Sequence, residues 1–238
     1  MKSAQVIFWA LILFFYPTLA QSARKVTELQ RIEKDQLCVT NGAVSTLPEG
    51  RLSIDTPSSR GVVRVATAQT AEIRFRYLGR SKESKPLASG ELRRQIGLKL
   101  KAQDTCNLLY AMWHIEPDSR IAVSIKQNPN KHTHEECGAR GYMNIKARRS
   151  VELPKILPGE SHTLHAELQG EELMIMADGR VVWEGTLGSG ITEIDGPVGF
   201  RTDNARFEFE YYAGSVNPET QSKTLNERVN PCLRSPDD

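Results

Sequence analysis

Nine polar side chains between residues 74 and 146 have the types and spacing of an anion-binding surface. They alternate with apolar residues in the runs 71–78, 92–100, 120–127 and 141–147, and in a strand such alternation places one set of side chains on one face. Arginine binds an anion through two parallel N–H donors, amides bind hydroxyl groups, and tyrosine stacks on a ring or donates a hydrogen bond. If these strands share a sheet, the predicted ligand-binding face consists of Arg74, Arg76, Arg93, Gln95, Lys99, Lys126, Tyr142, Asn144 and Lys146.

Two interpretations of this face are open. It suits a carboxylated or sulfated sugar, but Lys and Arg on an exposed sheet face can also serve solubility alone. Lyase chemistry is a sharper form of the first interpretation, because β-elimination on a polyuronate needs the carboxylate neutralised and a base and an acid near the acidified carbon. Arg93 or Asn144 could neutralise, and Tyr142 and His114 could transfer protons. The run 106–115 around His114 is apolar on both faces, so a core histidine bonded to the backbone is the alternative there.

A histidine-rich loop offers a candidate metal site at His132, His134 and Glu136. These side chains point the same way in an extended chain, but the spacing is short and no distant ligand anchors it. We therefore predict no metal or other cofactor.

Four cysteines, Cys38, Cys106, Cys137 and Cys232, allow three pairings into two disulfides. We favour Cys106–Cys137, which joins neighbouring segments, and Cys38–Cys232, which ties the C-terminal tail to the N-terminal region. The chain has no C-x-x-C motif, which argues against redox chemistry and cysteine-rich zinc sites.

The first 20 residues predict export. Lys2 precedes an apolar run over 6–16, followed by Pro17 and Ala20, and this run is too short to span a bilayer. The predicted signal peptide is 1–20, with cleavage after Ala20, so we expect a secreted or periplasmic protein. No later segment is apolar enough for a membrane span.

Charge is nearly balanced over the chain but unevenly distributed along it. The 31 basic and 29 acidic residues argue against nucleic acid as a partner. Residues 60–150 carry 18 Lys and Arg against 8 Asp and Glu, whereas residues 151–238 carry 7 against 16. Either two parts of one domain attract each other, or a basic face is directed at an anionic partner.

The placement of these residues depends on an all-β fold. About ten short strands with turn signals between them, and almost no helical periodicity, predict a two-sheet antiparallel β-sandwich. The Asp178-Gly179 pair between two apolar runs predicts a hairpin with a type I′ turn. We expect an N-terminal arm over 21–49, one β domain over 50–214 and a polar tail over 215–238.

The closing segments follow a familiar order. A strand over 161–169, the hairpin over Asp178-Gly179, the run 196–200 (GPVGF) and the alternating aromatic residues of 204–214 resemble the end of concanavalin-A-like (laminin-G-like) jelly-roll domains. The resemblance implies a jelly roll over about 60–214. That superfamily includes lectins, glucanases and polysaccharide lyases, so it does not by itself specify an activity.

Two enzyme motifs of that superfamily match only in part. Retaining glucanases carry E-x-D-x-x-E, and the nearest segment here, 193–198 (EIDGPV), lacks the third carboxylate. One jelly-roll lyase family carries R-x-E-L-R and then Q-I-H, to which 89–93 (SGELR) and 112–114 (MWH) are distantly similar.

We therefore expect an exported protein that binds a glycan, more specifically an acidic polysaccharide. The alternatives are a polysaccharide lyase on the same face and an envelope interaction module without a sugar ligand.

Overall fold

The computed structural model describes residues 27–216, in which sixteen strands form two antiparallel sheets packed face to face. This β-sandwich of the jelly-roll type confirms the predicted fold class. The strands of the nine-stranded sheet are β1 (Leu29–Ile32), β3 (Ser45–Thr46), β4 (Leu52–Ile54), β6 (Thr70–Arg80), β11 (Arg149–Ser150), β12 (Ser161–Gln169), β13 (Glu172–Ala177), β14 (Arg180–Thr186) and β16 (Ala205–Gly214). The strands of the seven-stranded sheet are β2 (Leu37–Asn41), β5 (Ser58–Val63), β7 (Arg94–Leu100), β8 (Leu108–Glu116), β9 (Arg120–Lys126), β10 (Tyr142–Asn144) and β15 (Gly199–Asp203).

The order of strands brings distant parts of the sequence together. The first sheet runs β11–β14–β13–β12–β6–β16–β4–β3, with β1 paired to β16, and the second runs β10–β9–β8–β7–β15–β5–β2. Helical structure in the described residues is limited to α1 (His134–Cys137) and to 3₁₀ turns at Lys34–Gln36 and Ser189–Glu193. Within the same residues, no helix is long and apolar enough to cross a membrane.

Strand β6 shows why the alternating pattern produces a sandwich. Ile73, Phe75 and Tyr77 are buried in the core between the sheets, and the polar residues between them face outward. Phe75 packs edge-on against Trp113 of the opposite sheet, with ring centroids 5.8 Å apart, a favourable geometry for aromatic pairs. The core therefore fixes which side chains of each strand can reach solvent.

The predicted hairpin at Asp178-Gly179 is present between β13 and β14. Both turn residues have positive φ, 49° and 74°, as a type I′ turn requires. Glycine has no Cβ to oppose that conformation, and aspartate tolerates it better than most residues.

The described part of the predicted N-terminal arm belongs to the sandwich instead. Strand β1 pairs with β16, and β2 pairs with β5, so residues 29–46 extend both sheets. The polar composition of this segment did not indicate β1 and β2, because the inward residues of these two strands are only Ile32, Leu37 and Val39. The predicted signal peptide over 1–20 and all but the first two residues of the predicted tail lie outside the described residues.

The predicted Cys106–Cys137 disulfide is present, with Cα atoms 5.9 Å apart. Cys232, the predicted partner of Cys38, lies outside the described residues.

Candidate functional site

A cleft of about 670 Å³ lies on the outer face of the seven-stranded sheet. Strands β7, β8, β9 and β15 form its floor. Alternate side chains of each strand are buried in the core, and the side chains between them face the cleft. The segment around 87–89 and Ala139 form walls on two sides. Gly97 is part of this floor, and a Cβ there would lie 2.5 Å from the sulfur of Met112, so glycine leaves room for the Met112 side chain.

The described residues that line the cleft include three arginines and a histidine but no Asp or Glu. Those four are Arg93, His114, Arg120 and Arg201. A concave site lined by one sign of charge concentrates ligands of the opposite sign. Two of these arginines contact carboxylates outside the lining, Arg93 with Glu91 and Arg201 with Asp203, whereas Arg120 forms no ion pair among the described residues.

Strand register places four of the polar groups in one row across the sheet. Arg120 is paired with His114, His114 with Gln95, and Gln95 with Asp203. Side chains at directly paired positions point to the same face, with Cβ atoms about 5 Å apart. Of this row, Arg120 is exposed, whereas His114, Gln95 and Asp203 are buried.

His114 lies between two arginines and stays neutral. Arg120 Nε donates to His114 Nδ1 over 3.3 Å, and Arg93 Nη1 is 3.2 Å from His114 Nε2. Burial and the charges of Arg93, Arg120 and Arg201 lower the pKa of His114 to about 3. A neutral imidazole has one N–H and one lone pair, whereas a guanidinium offers only N–H groups. One of the two contacts must therefore set an N–H against an N–H.

Gln95 contributes a buried acceptor without a hydrogen bond. Its Nε2 donates to Asp203 Oδ2 over 2.5 Å, and a carboxylate only accepts, so the orientation of the amide is fixed. Gln95 Oε1 has no hydrogen-bond partner, although the residue is only 3% exposed. A buried polar atom in this state costs about 1–3 kcal/mol, and such exceptions concentrate at functional positions.

An aromatic and cationic stack forms the other end of the cleft. Tyr110 stacks on Tyr142 with centroids 6.1 Å apart, and Arg201 lies 5.2 Å from the Tyr110 ring centroid. Burial opposes the charge on Arg201, but Asp203 and the two tyrosines outweigh it and raise its pKa. Burial, followed by the nearby Tyr110, raises the pKa of Tyr142 far above its usual range. Tyr142 nonetheless exposes 44% of its surface, although Lys126 Nζ also lies over its ring, 5.3 Å from the centroid.

Of the nine predicted ligand-binding residues, four line the cleft: Arg93, Gln95, Tyr142 and Asn144. Lys99 and Lys126 lie on the same face but are buried, with 3% and 2% exposure. Lys126 Nζ donates to the Thr105 carbonyl over 2.8 Å, so its charge is held within the fold. Lys146 follows β10, is exposed, and does not line the cleft.

The prediction of a single face is wrong for Arg74 and Arg76. Both lie on β6, in the nine-stranded sheet, and their side chains point away from the sandwich on its opposite side. Alternation along a strand fixes which side chains share a face of that strand, but it does not say to which sheet the strand belongs.

Two of the three candidate metal ligands, Glu136 and His132, form hydrogen bonds within the protein. Glu136 accepts hydrogen bonds from the backbone of His132 and Thr133, and these bonds hold its pKa low. His132 Nδ1 is 2.8 Å from Asp104 Oδ2. Within the described range, no group of three or more His, Cys, Asp or Glu side chains is arranged to hold a metal ion.

Two arginines and a tyrosine of the cleft were absent from the predicted ligand set. Arg120 lies on the same face of β9 as Lys126, so the alternation along this strand could have predicted it. Tyr110 lies in a strand that is apolar on both faces. Arg201 lies in the acidic half of the chain, far from the other cations in sequence, and only the pairing of β15 with β7 brings it to the cleft.

Comparison with solved structures finds similar folds. A carbohydrate-binding module, CBM66 from Bacillus subtilis, matches with a TM-score of 0.52 and 15% identity, over 73% of this chain and 91% of the module. The Emp46p carbohydrate recognition domain matches with a TM-score of 0.47 and 14% identity, over 77% of this chain and 90% of that domain. The Crh5 transglycosylase matches with a TM-score of 0.47 and 11% identity, over 80% and 85%. A scan of protein-family models and a search of curated protein sequences find no match to this chain.

Proposed function

We propose that this protein binds an acidic polysaccharide in the cleft of the seven-stranded sheet. The observation that carries the proposal is the lining of the cleft, which combines three arginines with an exposed tyrosine ring and contains no carboxylate among the described residues. Arginine binds carboxylate and sulfate groups through paired N–H donors. The tyrosine and amide groups supply the contacts that a sugar ring needs. The shared fold with a carbohydrate-binding module is consistent with this use of the sheet.

Binding, rather than hydrolysis, suits this site. A glycosidase of the two-carboxylate type needs a pair of acids facing the scissile bond, and the described lining residues provide none. Asp203, the nearest carboxylate of the row, accepts from Arg201 over 2.8 Å and from Gln95 over 2.5 Å. It is held by these partners rather than presented to a substrate.

A polysaccharide lyase is the second candidate, because Arg93, His114, Tyr142 and Asn144 do line one cleft. The proton-transfer groups argue for binding instead. The pKa of Tyr142 is raised, which makes the phenolate base harder to form, and the pKa of His114 is about 3, which makes that imidazole a weak base.

Export is part of the same proposal. The apolar run over 6–16 is typical of a signal peptide, and the Cys106–Cys137 disulfide fits an oxidising compartment. N-terminal sequencing of the protein recovered outside the cytoplasm should begin at Gln21. Recovery of an intact N-terminus from the cytoplasm would contradict export.

Calorimetric titration of the mature protein with polygalacturonate and alginate tests the binding function. We expect binding at low salt that weakens steeply at high salt, because screening shortens the range of the attraction to roughly 3 Å at 1 M. Neutral dextran should bind at least tenfold more weakly. Equal binding to dextran would contradict the acidic ligand, and release of products absorbing in the ultraviolet band of unsaturated uronates would favour the lyase. Failure to bind any of these polymers would favour a protein-interaction module.

A further inference from the structure

The row that crosses the cleft has two unmet hydrogen-bonding needs of opposite kind. One is the opposed pair of N–H groups between His114 and an arginine, which calls for an acceptor. The other is Gln95 Oε1, which calls for a donor. Gln95 and His114 occupy paired positions on β7 and β8, so both needs arise within one sugar ring's reach.

We infer that the cleft selects a uronate residue, whose carboxylate enters between Arg93 and His114 while a ring hydroxyl donates to Gln95 Oε1. This inference rests on the proposed function and names its substrate class. In the tautomer that carries its proton on Nε2, where Arg120 Nε donates to Nδ1, a carboxylate oxygen would accept from both N–H groups that face each other at 3.2 Å. The adjacent hydroxyl would satisfy Gln95 Oε1, which is buried without a partner.

Entry of the ligand requires one side chain to move, because Gln95 Oε1 is closed to solvent. Arg93 is suited to that movement. It precedes β7 on the rim, is only partly buried, and holds the exposed Glu91 through its outer nitrogen. Its inner nitrogen faces His114, and a carboxylate between the two groups would replace a poor contact with two charge-assisted hydrogen bonds.

The inferred geometry discriminates between classes of anionic sugar. A heavily sulfated sugar offers anions but few free hydroxyls, so it satisfies the arginines and leaves Gln95 Oε1 unmet. A neutral sugar offers hydroxyls but no anion. Sites that leave a buried polar group unpaired with the wrong ligand reject that ligand strongly.

Two changes, one in the ligand and one in the protein, test the inference. The ligand series is polygalacturonate, the same polymer O-acetylated on its ring hydroxyls, and dextran sulfate of matched charge density. The protein series is the wild type, Gln95→Met, which keeps the length of the side chain but removes the acceptor, and Gln30→Met, a control at an exposed position of β1. Thermal unfolding verifies that each variant is folded, and the ligand series on wild-type protein needs no variant.

We expect O-acetylation to weaken binding to the wild type and to Gln30→Met by about threefold to tenfold, the effect of one hydrogen bond. It should leave binding to Gln95→Met unchanged within twofold. Dextran sulfate should bind the wild type at least tenfold more weakly than polygalacturonate. If O-acetylation weakens binding to Gln95→Met as much as to the wild type, or if dextran sulfate binds as tightly, the inference is overturned while the proposed function stands. If the wild type binds dextran sulfate but no polyuronate, only the inference falls, and if it binds neither polymer, both fall.

Discussion

The two outer faces of the sandwich both carry arginines, but they differ in how these arginines are paired with carboxylates. On the nine-stranded sheet, Arg74 pairs with Glu72 over 2.7 Å and Arg51 with Glu208 over 2.9 Å. On the seven-stranded sheet, Arg93 and Arg201 contact Glu91 and Asp203 outside the lining. Arg120 contacts a neutral histidine and, within residues 27–216, forms no ion pair. A count of arginines therefore does not identify a binding face. What distinguishes the cleft is that carboxylates are missing from its lining.

The same comparison explains the uneven charge along the chain. Strand β16 comes from the acidic half and pairs with β6 from the basic half, so that Glu208 lies opposite Arg76 and Glu210 opposite Arg74. Attraction between two parts of one domain thus accounts for the nine-stranded sheet. In the seven-stranded sheet, β7, β8 and β9 all come from the basic half, and only β15 brings a carboxylate, Asp203, to the row.

The largest effect should come from removing arginines on one face or the other. The double variant of Arg93→Ala and Arg120→Ala should lower affinity for polygalacturonate by at least about a hundredfold, because hydrogen bonds to charged groups contribute about 1.5–3 kcal/mol each. The double variant of Arg74→Ala and Arg76→Ala should change it by less than twofold. Calorimetric titration compares the two. A greater loss from the second pair would move the binding site to the opposite sheet.

The next effect concerns the Cys106–Cys137 disulfide, which anchors the rim of the cleft on the seven-stranded sheet. Within the described residues, the nine-stranded sheet has no corresponding disulfide. Replacing both Cys106 and Cys137 by serine should lower the free energy of unfolding by about 3 kcal/mol, given a sequence separation of 31. Affinity should fall as well, because the loop that carries Ala139 forms one wall. Urea unfolding measures the first change and titration the second. Unaltered affinity in a destabilised variant would show that this wall does not contact the ligand.

The two faces should also respond to acid in different pH windows. The folded-state pKa of His114 is about 3, below the usual 6.5, so the unfolded state takes up a proton that the folded state refuses. Stability should therefore fall as the pH drops below about 6.5, by up to about 1.4 kcal/mol per pH unit. On the other face, a hydrogen bond from His165, with help from Arg74, lowers the pKa of Glu72. Its contribution is present above the unfolded value near 4.5 and is lost only as the pH falls below that value.

Urea unfolding between pH 7 and pH 5 separates these contributions. His114→Asn should reduce the slope in this interval, by about 2 kcal/mol in total between pH 6.5 and 5. Glu72→Gln should leave the slope above pH 5 unchanged and reduce the loss below pH 4.5. An unchanged slope in His114→Asn would mean that the pKa of this histidine is the same in the folded and unfolded protein and that the cleft is less basic than described.

The sequence predicted the sandwich because its strongest signals are local. The alternation of Ile73, Phe75 and Tyr77, and the turn at Asp178-Gly179, depend only on neighbouring residues and on the requirement of a buried face. The predicted arm was wrong for a related reason. Residues 29–46 join the two sheets by pairing with strands far along the chain, and their own composition carries little trace of it.

The site was predictable only within a strand. Parity placed Arg93, Gln95, Tyr142 and Asn144 correctly on outward faces, and all four line the cleft. It could not show that β6 belongs to the other sheet, nor that β15 brings Arg201 next to Tyr110. Such long-range strand order is set by the packing of the whole core, and no local pattern encodes it.

The smallest effect concerns two tyrosines on opposite faces of the sandwich, each of which contacts an arginine. It is also the effect that separates binding from catalysis. Tyr142 lies over Tyr110 and near Arg201, whereas Tyr212 lies 4.4 Å from Arg74 on the nine-stranded sheet. If the accessible ring of Tyr142 stacks on a sugar, Tyr142→Ala should lower affinity about fivefold, an effect of about 1 kcal/mol that is typical of aromatic contacts. Tyr142→Phe keeps the ring and should stay within twofold of the wild type, as should Tyr212→Ala. In a lyase that uses the phenol for proton transfer, Tyr142→Phe would instead abolish the ultraviolet product signal while leaving affinity intact. The same variant therefore gives opposite results for the two candidate functions, because binding depends on the ring face and elimination depends on the hydroxyl.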